Sequence, residues 1–158
     1  MILLGGVIIL LVTVTVWRAY VDYLKERRES CRIFIRMLTD MRDKMYCYLI
    51  SPREWAQKYD DADKYGFVKK VKEGQELYSA YMECRGRTHI PDVADTILRD
   101  YFSRVGDSYV ENEVAAADNV ISELRKIDAQ SSEEALKKTK VAGALLGAFS
   151  TGIVILIL

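Results

Sequence analysis

The sequence holds one histidine, two prolines and three cysteines, and no charged residue lies in either end segment. Each shortage excludes something. A histidine-based nucleophilic site would have to use His89, and nothing beside it resembles a strained nucleophile turn or a glycine-rich oxyanion loop. His89 therefore reads as a surface loop residue. Cys31, Cys47 and Cys84 are odd in number and lack CxxC spacing, so they read as free, small apolar residues of a reducing compartment. With a single imidazole they do not suggest zinc. No GxxxxGK(S/T) or GxGxxG loop is present to cradle a nucleotide phosphate. Asp60, Asp61 and Asp63 lack the glycine and closing glutamate of a calcium loop and read as a solvated turn. A net charge of +0 and a pI of about 6.6 leave no footprint for nucleic acid. The expectation is a protein that is not an enzyme, with no catalytic residue, metal, cofactor or small-molecule substrate.

What is present is a partition. All 23 Lys+Arg and all 23 Asp+Glu lie between Arg18 and Lys140. The segment 141–158 is 18 residues without a charge, close to the ~20 apolar residues that cross a bilayer as a helix. The segment from Ile2 to Trp17 is 16 residues and rises only ~24 Å as a helix, so Trp17, a snorkelling Arg18 and Tyr20 must finish the span. It has no basic residue before it and no small-x-small cleavage site after it, which argues against a removable signal peptide. The expected organisation is a transmembrane helix at 1–17, a domain at 18–140 and a transmembrane helix at 141–158. Lys and Arg flanking a span are retained in the cytoplasm. Arg18, Lys25, Arg27, Arg28 and Arg32 follow the first span, and Lys137, Lys138 and Lys140 precede the second. The middle domain is thus expected to be cytoplasmic.

Within that domain the apolar periodicity is helical throughout. Val21, Leu24, Cys31, Phe34, Ile35, Leu38, Met41, Met45, Tyr48 and Leu49 recur at three-and-four spacing, interrupted by Arg28. No Gly or Pro separates Gly6 from Pro52, so one helix is expected to run from the membrane to about Leu49. Ser51, Pro52 and Glu54 make a capping box that starts a second helix anchored by Trp55 and Tyr59. Phe67, Val68, Val71, Leu77, Tyr78, Tyr81 and Met82 form the next stripe, with Gly66 and Gly74 as points where it can break. Pro91 opens a helix with Val93, Ile97, Tyr101 and Phe102 inward, ended by a left-handed Gly106. Ser108 and Glu111 repeat the capping-box spacing before Val114, Ala117, Ile121 and Leu124. From about Asp128 the chain either starts a new helix at Ser131 or continues unbroken. The expected fold class is all-α: an antiparallel bundle of five or six helices flanked by two transmembrane helices, its first and last soluble helices side by side.

Two features suit interaction. The basic stretch Lys25, Arg27, Arg28, Arg32 and Arg36 lies near the membrane, where anionic lipid attracts each charge by about 1 kcal/mol; topology and solubility alone also account for it. Gly143 and Gly147 form a GxxxG in the last helix, which permits close contact with the first span or with another copy of the chain.

The layout resembles the stage III sporulation protein AB family, single-domain relatives of the type II secretion system F platform proteins. That family has a short span, a helical domain and a closing span. The likeness is most specific in the last third, where an aromatic helix leads into a Leu-Gly turn, a Ser/Thr-Asp pair and a Gln. The corresponding residues are Tyr101, Phe102, Val105, Gly106, Ser108 and Glu113. Val105 replaces the Leu, Tyr109 stands where Asp is usual, and Glu113 stands where Gln is usual. The resemblance implies a non-enzymatic platform in the membrane on the mother-cell side of the forespore. Its partners would be a cytoplasmic secretion-type ATPase and the channel proteins of a secretion-like complex. A generic two-span adaptor or oligomeric scaffold unrelated to sporulation would share the same layout.

Overall fold

The computed structural model describes residues 2–61, 63–106 and 108–157, with side chains described over 11–61, 63–106, 108–138 and 140–145. All regular elements among them are helical: α1 (Ile2–Tyr48), α2 (Pro52–Lys58), α3 (Phe67–Lys72), α4 (Leu77–Cys84), a single 3₁₀ turn at Arg85–Arg87, α5 (Asp92–Phe102) and α6 (Val110–Ile157). The chain divides into two units, Arg27–Asp128 and the pair Met1–Glu26 with Ala129–Leu158.

In the first of these units the elements follow from local chemistry. The absence of Gly and Pro lets α1 run unbroken, and its buried stripe is Cys31, Phe34, Leu38, Met41 and Met45. It stops where Leu49 takes a left-handed φ of 52°. Ser51 then caps α2: its hydroxyl accepts the Glu54 N–H at 3.2 Å, and the Glu54 carboxylate accepts the Ser51 N–H at 3.0 Å. Trp55, 1% exposed, donates its indole N–H to Asp40 at 2.7 Å and so ties α2 to α1. Of the two glycines at which the stripe can break, Gly74 divides it and Gly66 stands at its start. Gly66 precedes α3 with φ 77°, and Gly74 follows it with φ 99°. There the Gly74 and Gln75 N–H groups close on the carbonyls of Val71 and Lys70, satisfying the end of α3.

An aromatic cluster fills the centre. Phe34 meets Tyr81 edge-on at 5.6 Å, Phe67 packs on Phe102 at 5.0 Å, and Tyr81 lies 5.2 Å from Phe102. These contacts join α1, α3, α4 and α5, and such pairs add about 0.5–1.5 kcal/mol beyond their buried area. Ala117, Ile121 and Leu124 bring α6 onto the same core. Arg42 pairs with Asp118 at 3.0 Å, the Cys31 thiol reaches the Leu124 carbonyl at 3.7 Å, and Arg32 pairs with Asp128 at 3.2 Å. Numbers rising on α1 meet numbers falling on α6, so the two helices run antiparallel side by side. Arg28, the interruption in the apolar stripe, also reaches Asp128, at 3.6 Å. The chain therefore enters and leaves this unit at the same end.

Several faces differ from the sequence expectation. The inward side of α5 is Ala94, Asp95, Leu98, Tyr101 and Phe102, whereas Val93 is 65% exposed. Asp95 can lie inward because the Tyr81 hydroxyl donates to it at 2.8 Å and Arg85 pairs with it at 3.0 Å. Tyr48 and Leu49 are exposed, with Ile50 just beyond them turned into the core, and Tyr78 and Met82 lie on the outer side of α4. Cys47 is exposed, unlike Cys31 and Cys84. Beyond Asp128, α6 continues without a break.

In the terminal unit Leu11, Val12, Val14 and Val16 are exposed, as are Val141 and Leu145. The Trp17 and Tyr20 rings lie 6.0 Å apart. Among the described residues no helix is long and apolar enough to cross a membrane. Of the two expected spans, Met1, Leu158 and the side chains of 2–10 and 146–157, Gly147 included, lie outside the described residues.

Candidate functional site

The four residues of the Leu-Gly-like turn, Val105, Gly106, Ser108 and Glu113, meet between α5 and α6. Helix α5 ends at Phe102, and the Arg104 and Val105 N–H groups both turn back to the Tyr101 carbonyl. Gly106 then takes φ 101°, a conformation that an L side chain rarely adopts. This turn aims the Gly106 and Ser108 N–H groups at one carboxylate oxygen of Glu113, at 3.0 and 3.1 Å. Glu113 is only 5% exposed, yet its charge is met by two backbone donors and by its place in the first turn of α6, where the helix dipole favours an anion. Sequence spacing pointed to Glu111 as the closing carboxylate. The longer loop made by Gly106 gives that role to Glu113.

A cleft of about 460 Å³ opens beside this turn, lined on the α5 side by Ile97, Asp100, Tyr101 and Arg104 and on the α6 side by Asn112, Glu113, Asn119 and Glu123, among others. Tyr101 is 5% exposed, and its hydroxyl has no hydrogen-bond partner among the described residues. Burial, and next the neighbouring charge of Glu113, push that hydroxyl well above the ordinary tyrosine range. Arg104 is held by Asp100 through an ion pair. A second hollow of about 200 Å³ touches the other side of the turn, between Val105, Gly106 and the α1–α2 corner at Met45, Ile50 and Pro52.

The chain matches no family model, no curated protein and no solved structure.

The cleft lining carries carboxylates, side-chain amides, a phenol, the Ser108 hydroxyl and the Arg104 guanidinium, with no thiol or imidazole among them. His89 is exposed in the segment before α5, where its backbone N–H donates to Ser30 at 3.4 Å. No group of three or more metal-ligating side chains occurs among the described residues. In the acidic turn, Asp61 pairs with Arg36 of α1 at 3.7 Å and Asp63 accepts the Lys69 N–H of α3 at 2.8 Å, so the two carboxylates fasten the turn to α1 and to α3. Burial pushes the Cys31 thiol up to about 11 and the Cys84 thiol up to about 12, which keeps both protonated.

The cations that flank the two charge-free segments in the sequence are distributed over both units. Arg18, Lys25, Lys137, Lys138 and Lys140 are exposed in the terminal unit, with Lys25 near Asp22 at 3.5 Å and Lys138 near Glu134 at 3.7 Å. Arg27 and Arg28 are half-buried in the other unit. Gly143 is exposed in α6, with open space where a Cβ would stand. Sequence reasoning did not find the unpartnered Tyr101 hydroxyl, because a tyrosine in an inward stripe gives no sign of whether its oxygen has a partner.

Proposed function

We propose that this chain is a non-enzymatic membrane platform of a secretion-like sporulation complex, in which the domain at 18–140 docks a cytoplasmic secretion-type ATPase. The observation that carries the reading is the side-by-side entry and exit of the chain at Arg28 and Asp128, because a domain hung from one membrane face must begin and end at the same end. The charge-free segments beyond Arg18 and Lys140, and the exposed Leu11, Val12, Val14, Val16, Val141 and Leu145, support anchoring in lipid. The gathering of Val105, Gly106, Ser108 and Glu113 into one hydrogen-bonded turn supports the resemblance to the F-type platform family. In this reading the helices form an antiparallel F-type bundle. The segments 1–17 and 141–158 span the membrane on the mother-cell side of the forespore. A bundle held at both ends cannot tumble freely, so a conformational change in the ATPase passes to the spans as tilt or rotation.

The test is affinity purification of tagged full-length protein from sporulating cells. The expected result is co-purification of the ATPase and channel subunits, reduced by charge reversals on the surface of the domain. Recovery of neither partner would overturn the proposal.

A further inference from the structure

Helix α1 ends about 30 Å beyond Arg28, at the end of the Arg27–Asp128 unit opposite the one where the chain enters and leaves. From Met45 to Pro52 the sequence there holds no Lys, Arg, Asp or Glu, and neither does Ser108 to Val110 before α6. Three large side chains of this tip stand in solvent: Tyr46 at 70%, Leu49 at 74% and Tyr109 at 84% exposure. They share one side. Tyr46 lies one turn beyond Arg42, whose guanidinium pairs with Asp118, so it is on the α6 side of α1. Tyr109 immediately precedes α6, and Leu49 immediately follows α1.

Between them lies the hollow of about 200 Å³, walled by Met45, Ile50, Leu77, Val105 and Val110. Leu49 and Tyr109 adjoin it through their neighbours Ile50, Ser108 and Val110. The two charged side chains of its lining are answered within the chain, Arg53 by Glu76 at 3.5 Å and Glu113 by the Gly106 and Ser108 N–H groups. The hollow is below the ~300 Å³ of small-molecule clefts, whereas an apolar cavity of ~150 Å³ takes one benzene-sized group. Its size is that of a single apolar side chain. Leu49 is a projecting counterpart. At φ 52°, uncommon for a bulky residue, the chain leaves α1 with Ile50 turned inward and Leu49 standing out. One patch thus offers both a knob and a hole.

We infer that this tip is a self-association surface, on which two copies of the chain pair about a twofold axis with Leu49 of each seated in the hollow of the other. A twofold axis sets a patch against itself, so a charged patch meets its own sign. This one meets no repulsion, because its exposed side chains are uncharged and the charges lining the hollow are already paired. The contact is small. An aromatic side chain buries ~150–250 Å², so two tyrosines and a leucine from each copy put the pair at or below ~1,200 Å² in total, the range of transient complexes. The inference does not depend on the platform reading.

The test is sedimentation equilibrium of the full-length protein in density-matched detergent, where a dimer with a dissociation constant of about 10–100 μM is expected. Leu49→Asp is expected to weaken it about tenfold or more, since it removes the knob and sets a carboxylate against an apolar wall. Its melting midpoint is expected to hold or rise, because Asp accepts a positive φ more readily than Leu. Tyr109→Ser is expected to weaken pairing about threefold or more. Val93→Asp, which removes an exposed apolar side chain from the start of α5, is expected to change nothing. Cross-linking locates the contact. Two chains carrying Cys47→Ser are mixed, one with Leu49→Cys and the other with Ser108→Cys, and treated with a short bis-maleimide that the buried Cys31 and Cys84 do not meet. A mixed covalent dimer is expected, and none when Val93→Cys replaces Leu49→Cys.

A wild-type chain still monomeric at about 1 mM would overturn the inference. So would association that Leu49→Asp leaves intact, which places the contact elsewhere, as in pairing through the terminal segments. Absence of the mixed cross-link would overturn it as well. None of these readouts involves the ATPase or the channel subunits, so the platform proposal stands or falls separately.

Discussion

Replacing Glu113 in three ways separates its hydrogen bonding from its charge. One oxygen of this side chain accepts the Gly106 and Ser108 N–H groups at 3.0 and 3.1 Å. Hydrogen bonds to charged groups contribute about 1.5–3 kcal/mol each when water is excluded. Gly106 and Ser108 are exposed, so their N–H groups regain water when the carboxylate is removed. The smaller contribution of an ordinary hydrogen bond, about 1 kcal/mol each, is therefore appropriate. Glu113→Ala is then expected to cost about 2 kcal/mol, which for a unit of about 100 residues lowers the melting midpoint by roughly 8–16 °C. Glu113→Gln keeps a carbonyl oxygen in place and is expected to lie within about 0.5 kcal/mol of wild type, because it also removes a buried charge. Glu113→Asp shortens the reach by ~1.5 Å, loses both bonds and keeps the charge, so it is expected to be no better than Ala. Thermal melts followed by far-ultraviolet circular dichroism give the order, and amide exchange at Gly106 and Ser108 reports the bonds themselves. A Gln variant as unstable as Ala would refute the hydrogen-bond argument, and so would an Ala variant that melts with wild type.

Two backbone substitutions are expected to act in opposite directions in the same melts. Gly106→Ala places a side chain at φ 101°, where nothing lies within 4 Å, so its cost of about 1 kcal/mol or more is conformational alone. Leu49→Gly releases a bulky residue from φ 52° at a site 74% exposed and is expected to gain up to about 1 kcal/mol. Thiol labelling is expected to modify Cys47 quickly and Cys31 and Cys84 only on unfolding. The folded Cys31 thiol titrates at about 11 against an ordinary value of 9.0, so between those values the folded state holds more protons than the unfolded one. Its contribution to stability therefore falls as pH rises through that window, which denaturant titrations at stepped pH will show.

Much of this architecture can be read from local signals. The break-free run to Tyr48, the Ser51–Glu54 cap and the helix breaks at Gly66 and Gly74 each depend on residues a few positions apart. The positive φ of Gly106 was legible for the same reason. What escaped depended on distant partners. The buried face of α5 is turned by one residue from its apparent stripe because Asp95 is accepted inside by Tyr81 and Arg85, which lie on earlier elements. Glu111 and Glu113 stand at comparable distances from the turn, and only the path of the loop after Val105 decides between them. The cleft itself is a property of two helices, and no stretch of either one spells it out.

The pairing of α1 with α6 has a consequence in time. Arg32 and Asp128 are separated by 96 residues, and Cys31 meets a carbonyl 93 residues later. At ~5–20 residues per second of synthesis, roughly 5–20 s pass between the appearance of Cys31 on the ribosome and that of the helix that covers it. The side of α1 bearing Cys31 waits uncovered through that interval, while α2 to α5 are already available to Phe34. Assembly of the unit therefore has an order built into its connectivity, with the last helix closing over a surface that the first one exposed.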